Sequence, residues 1–96
     1  MRLPNLLVRV KIMPKEAEIK PPQILGSIQE KNRQIVVRSS KEEPIAFGLV
    51  ALIADFVTDD KAGAMEEIEN AIRSSDLVGE FEVLGASRIS ADVKKK

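Results

Sequence analysis

Hydrophobic residues recur along this chain with two different periods, and the switches between them mark out the elements. From Asn5 to Met13 the period is two. Leu6, Val8, Val10 and Ile12 fall on one face and Leu7, Arg9, Lys11 and Met13 on the other, as in a strand with one buried face. Pro14 ends it, and Lys15 to Lys20 is charged and loop-like. Pro21 and Pro22 suit the first turn of a helix, where a missing N–H costs little. Ile24, Leu25 and Ile28 then supply a short apolar stripe. The spacing predicts a helix over 21–31, weakened at Gly26 by about 1 kcal/mol relative to alanine. Ile35, Val36 and Val37 predict a second strand over 34–40. Residues 39–44 read as a polar turn or loose connection, because Pro44 has no N–H to give to a ladder. Residues 47–57 are apolar except for Asp55. They predict a third strand that is buried on both faces and therefore central. Asp59 and Asp60 stop it and can cap the next helix. Met65, Ile68, Ala71 and Ile72 oppose Glu66, Glu67, Glu69, Asn70 and Arg73, predicting an amphipathic helix over 62–74. Over 80–86, Phe81 and Val83 alternate with Glu80, Glu82 and Leu84, predicting a fourth strand.

The order is β-α-β-β-α-β. Right-handed crossovers and un-knotted connections leave one dominant solution for it, a ferredoxin-like α/β (α+β) sandwich. Four antiparallel strands would lie in the order 4-1-3-2, with two helices on one face and the other face open. On this reading residues 1–89 are one domain and 90–96, ending in three lysines, a basic, frayed tail. Strand parity puts Asp55 on the open face, within reach of Arg9 or Lys11 on the first strand.

Composition then removes whole classes of chemistry. The chain has 96 residues, one domain by length. Lys plus Arg and Asp plus Glu are 15 each, so bulk charge favours neither nucleic acid nor a membrane surface. It contains no cysteine and no histidine. That excludes a disulfide framework, the common zinc sites and any histidine-based catalytic group. No catalytic residue, metal ligand or cofactor site is expected. The start, MRLPNLLVRV, is too short in its apolar part for a signal peptide, so a cytoplasmic protein is expected.

One stretch is not generic. EEPIAFGLVAL, from Glu42 to Leu52, resembles the signature of the guanine-nucleotide exchange domain of elongation factor 1-beta, above all its archaeal form. VTDDKAG, from Val57, and GASRI, from Gly85 to Ile89, resemble two further segments of that family in the right order and spacing. The resemblance implies a ferredoxin-like domain that binds the translation GTPase elongation factor 1-alpha, GDP-bound and nucleotide-free, and speeds the release of GDP. No cofactor, nucleic acid or membrane is implied. Pro44, Ile45, Ala46, Phe47 and Gly48 would form a partner-binding turn with Phe47 as its apolar anchor. Arg88 would match the basic residue near the end of the domain that reaches toward the partner's magnesium and phosphate site. Asp59, Asp60 and Lys61 read first as a turn and helix cap and, with Ile89, as secondary candidates for partner contact. Phe47 could equally be a core residue at the mouth of its strand, with Gly48 beside it as a bulge. Parity counted back from Leu52 and Phe56 puts Phe47 on the open side.

Rival readings of the same topology fare worse. A small acyl-phosphate hydrolase would need a glycine-rich, arginine-bearing loop after the first strand, and that position reads MPKEAEIKPP. An RNA-binding module would carry stacking aromatics on its central strands, and this chain has three aromatic residues in all. A non-enzymatic protein-interaction or ligand-sensing module is the remaining alternative.

Overall fold

A computed structural model describes residues 5–89; the expected tail over 90–96 lies outside them. The elements follow the order β1 (Asn5–Pro14), α1 (Pro21–Lys31), β2 (Val36–Pro44), a 3-10 turn (Ala46–Gly48), β3 (Val50–Asp59), α2 (Ala64–Arg73) and β4 (Val78–Ile89). The strands form one sheet in the order β2-β3-β1-β4, and every neighbouring pair is antiparallel. This is the expected ferredoxin-like α+β sandwich, with β3 and β1 inside and β2 and β4 at the edges. Among the described residues no helix is long and apolar enough to cross a membrane.

The period-2 face of β1, Val8, Val10 and Ile12, meets Leu52, Ala54 and Phe56 of β3 under the two helices. Ile24 and Ile28 of α1 and Ile68, Ala71 and Ile72 of α2 close the core from above, with Ile35 at the entry to β2. Each of the larger side chains contributes about 1.5–3 kcal/mol by leaving water. α1 has the predicted bounds. Its first turn is held by Gln23, whose side chain accepts a 2.7 Å hydrogen bond from the Lys20 backbone N–H.

Four boundaries differ from expectation. β2 does not loosen after Ser40 but runs to Pro44, which faces Val50 across the ladder. A proline is tolerated there because β2 is an edge strand and Pro44 its last residue. β3 begins at Val50 rather than at residue 47, because Ala46–Gly48 coils into the 3-10 turn. β4 extends from Val78 to Ile89, beyond 80–86 at both ends. α2 begins at Ala64, and its N-cap is Gly63 at φ 83°, not Asp59 or Asp60. Only glycine adopts that conformation freely. Glu66 and Glu67 instead supply negative charge to the first turn, where the helix dipole favours it.

The edge strands also carry extra residues, one in β2 and two in β4, the first of these two being Gly79, left over between the Met13–Glu80 and Pro14–Val78 pairs. β2 pairs Val37 with Phe56 and Ser39 with Asp55, leaving Arg38 over. β4 pairs Val83 with Val10 and Gly85 with Arg9, leaving Leu84 over. Such bulges bend the strand and reverse the facing of every residue beyond them.

Candidate partner-docking site

The turn between β2 and β3 is closed by two backbone hydrogen bonds, from the Ile45 N–H to the Leu49 carbonyl at 2.9 Å and from the Leu49 N–H to the Ala46 carbonyl at 3.2 Å. Its two central residues are both left-handed, Phe47 at φ 64° and Gly48 at φ 75°. For glycine this is free. For a residue as bulky as phenylalanine it costs about 1–2 kcal/mol. The Phe47 side chain gains no burial in return: the residue is 94% exposed. Pro44, Ala46 and Gly48 are exposed and Ile45 is half-buried. Phe47 is therefore not a core residue, and Gly48 is part of a turn rather than a bulge. Strand parity does not reach Phe47, because β3 starts three residues later.

Arg88 stands at the other end. It pairs with Leu6 on β1, and Leu6 with Thr58 on β3. Leu6 packs against the core, so this row of side chains points to the helix side. The bulge at Leu84 is what places Arg88 there; an unbroken alternation from Val83 would face it to the open side. On the helix side Arg88 meets the connection from β3 to α2, and its Nε donates to Oδ2 of Asp60. The Arg88 side chain remains 71% exposed while that of Asp60 is 18% exposed. Asp60 lies three residues before Gly63, the N-cap of α2, and its carboxylate is used by Arg88. Lys61 turns back to Glu67 at 3.7 Å, Asp59 is exposed and Ile89 is half-buried. Arg88 and Asp60 are thus brought together, with Asp59, Lys61 and Ile89 as near neighbours in the chain. From Val50, beside the Phe47 turn, to Thr58, in the Arg88 row, the strand covers about 26 Å at roughly 3.3 Å per residue.

The centre of the open face is occupied by a third group. Arg9 Nε and Nη2 donate to Asp55 Oδ1 and Oδ2 at 2.8 and 3.1 Å. Ser39 Oγ, delivered by the bulge at Arg38, donates to Oδ2 at 3.0 Å. The hydrogen bond from Arg9 holds the Asp55 carboxyl below the ordinary aspartate range against the opposing effect of burial, with Ser39 assisting. The expected pairing on this face forms, with Arg9 as the partner. Lys11 lies 3.8 Å from Glu43 instead.

The sheet therefore carries an apolar anchor on the turn at one end, a cation on the helix side at the other, and a charge-neutralised group in the middle of its open face. Comparison with known proteins decides what this arrangement belongs to. The family model of the EF-1 guanine nucleotide exchange domain matches residues 7–89. The chain belongs to that family. An elongation factor 1-beta from Methanoculleus marisnigri is 35% identical over 85 residues, covering 88% of this chain and 98% of the relative. One from Methanocaldococcus jannaschii is 31% identical over 85 residues, covering 86% and 96%. The solution structure of the C-terminal domain of the MgtC protein from Mycobacterium tuberculosis matches with a TM-score of 0.53 at 18% identity, over 93% of this chain and 90% of that one. That likeness is one of fold alone. As a member of the exchange-domain family, the chain is a guanine nucleotide exchange factor for elongation factor 1-alpha, acting by binding a protein.

Two features of the site escape a reading by residue pattern. The Asp60–Arg88 pair joins residues 28 positions apart, and nothing local links them. The bulges at Arg38 and Leu84 decide which side chains meet. The only local signal for either is Gly85, since glycine inside a strand pattern often marks a bulge.

Proposed function

We propose that this domain releases GDP through a grip at two separate points. Phe47, on the 44–48 turn, docks into an apolar recess of elongation factor 1-alpha, and Arg88 approaches the magnesium and phosphate site of the same molecule. The observation that carries this reading is the distance of about 26 Å between the two ends of the sheet. It is too long for one small-molecule pocket and well suited to a large protein partner. No bond is made or broken. The factor needs only to bind the nucleotide-free GTPase more tightly than the GDP-bound one, and by linkage GDP weakens the factor's binding in the same ratio. A guanidinium brought beside the metal competes with the largest local charge of a phosphate site. The partner is engaged in the cytoplasm, with no contact to nucleic acid or membrane.

The test is release of a fluorescent GDP analogue from elongation factor 1-alpha. The release rate rises with the concentration of this protein and saturates. A rate independent of concentration would remove the exchange reading.

A further inference from the structure

The geometry points to Asp60 as the positioning residue for Arg88, holding its guanidinium by Nε so that the two Nη groups lead toward the partner. This rests on the exchange reading above. Three observations carry it. First, Arg88 commits only Nε to Asp60, whereas Arg9 commits both Nε and Nη2 to Asp55. A guanidinium has five N–H donors, so contact through Nε alone leaves four for another acceptor. Second, Asp60 is the fixed member of the pair. Its side chain is 18% exposed against 71% for Arg88. It also sits in a connection tied down by hydrogen bonds from the Lys61 N–H to the Asp59 carbonyl and from the Ala64 N–H to the Lys61 carbonyl, at 3.1 and 3.0 Å. Third, the neighbouring cation, Lys61, is directed to Glu67 and does not share the Asp60 carboxylate.

The physical consequence is pre-organisation. A free arginine samples many rotamers and loses that freedom when it docks. One already tethered through its inner nitrogen has lost part of it beforehand. The tether also fixes direction, since the Nε–H points out from the side of the fork while the end carrying Nη1 and Nη2 points onward, away from the side-chain stem. An acidic brake would instead cover the Nη1–Nη2 end, where no carboxylate among the described residues pairs with Arg88. Asp60 thus contributes to exchange through Arg88 and not by touching the partner.

A double-mutant cycle on the full chain tests this, with release of fluorescent GDP from elongation factor 1-alpha as the readout and thermal melts to confirm folding. Arg88→Ala lowers the exchange rate by roughly 30-fold or more. Asp60→Ala lowers it by roughly 2- to 10-fold, the value of one pre-ordered side chain, and Asp60→Glu restores part of the loss. In the Arg88→Ala background, Asp60→Ala has no further effect. If Asp60→Ala costs the same in both backgrounds, its role is only to shape the loop and the inference is overturned. Faster exchange, or none of the loss, overturns it too. Should Asp60→Ala melt early, Asp60→Asn, which keeps the size and one acceptor oxygen, takes its place in the cycle. If Arg88→Ala itself exchanges at the full rate, it is the role given to Arg88 that fails.

Discussion

Arg9 and Arg88 each pair with an aspartate, one in the middle of the sheet and the other at its end, and the two pairs differ in every respect that matters for use. Arg9 grips Asp55 through two nitrogens of its fork, and Ser39 completes the shell around a buried carboxylate. Arg88 touches Asp60 through one nitrogen and keeps most of its surface in water. The phenylalanines repeat the contrast. Phe56, in the middle of β3, is fully buried, while Phe47 at the end of the hairpin is 94% exposed. Side chains at the centre are satisfied within the fold, and those at the ends keep unsatisfied capacity. The centre should therefore govern stability and the ends should govern exchange.

That division can be broken by substitution. The largest separation is expected at Phe47. Phe47→Ala weakens binding to elongation factor 1-alpha by roughly 30-fold, the loss of a hot-spot aromatic worth about 2 kcal/mol. It leaves the melting temperature almost unchanged, since nothing in the core is lost. Titration of the labelled partner measures the first and a thermal melt the second; a large drop in melting temperature with intact binding would reverse the assignment. Asp55→Ala is the mirror case. It costs about 1–2 kcal/mol of stability in urea unfolding, and the folded fraction exchanges at the normal rate. Slower exchange by folded Asp55→Ala would mean that the centre is also part of the site.

A smaller effect comes from the titration of Asp55. Its folded-state pKa is depressed, first by the hydrogen bond from Arg9. The unfolded chain therefore takes up this proton at higher pH than the folded one. The pair's contribution is present above the ordinary aspartate value and is lost as pH falls through the depressed one. In acid titrations of stability, Asp55→Asn should show a shallower loss than the parent over that window, and identical slopes would show that the pair adds nothing. The smallest effect has the opposite sign. Phe47→Gly removes the left-handed strain at φ 64° but adds freedom to the unfolded chain. It should raise stability by about 0.5 kcal/mol at most while losing binding as Phe47→Ala does.

Much of the fold is legible in the chain because burial imposes periodicity. Val8, Val10 and Ile12 had to share a face, and the run from Leu52 to Phe56 had to lie inside the sheet. Helix α1 was bounded by its own prolines at one end and by the loss of its stripe at the other. What stays illegible is whatever breaks periodicity. Pro44 reads as the end of pairing but occupies an edge position where its missing N–H is harmless. Phe47 reads as a strand residue because its hydrophobicity says nothing about a positive φ. Asp60 reads as a helix cap because a carboxylate in front of a helix does that by default. Its actual engagement depends on a long-range register that only the assembled sheet supplies. The turn and the arginine could be picked out as candidates from family resemblance, but the aspartate beneath the arginine could not be assigned its contact.

Leu84, an unpaired and half-exposed residue of β4, carries a lesson for comparing relatives. Between Val83 and Arg88 the count of residues is fixed by the chain, but the side of the sheet on which residue 88 emerges is fixed by whether one of them is skipped. Two homologues can therefore align an arginine with an arginine, without a gap, and still display it on opposite surfaces if only one has the bulge. Equivalence at this position is a matter of phase as well as identity, and it has to be counted across the sheet, from Leu6, rather than along the strand.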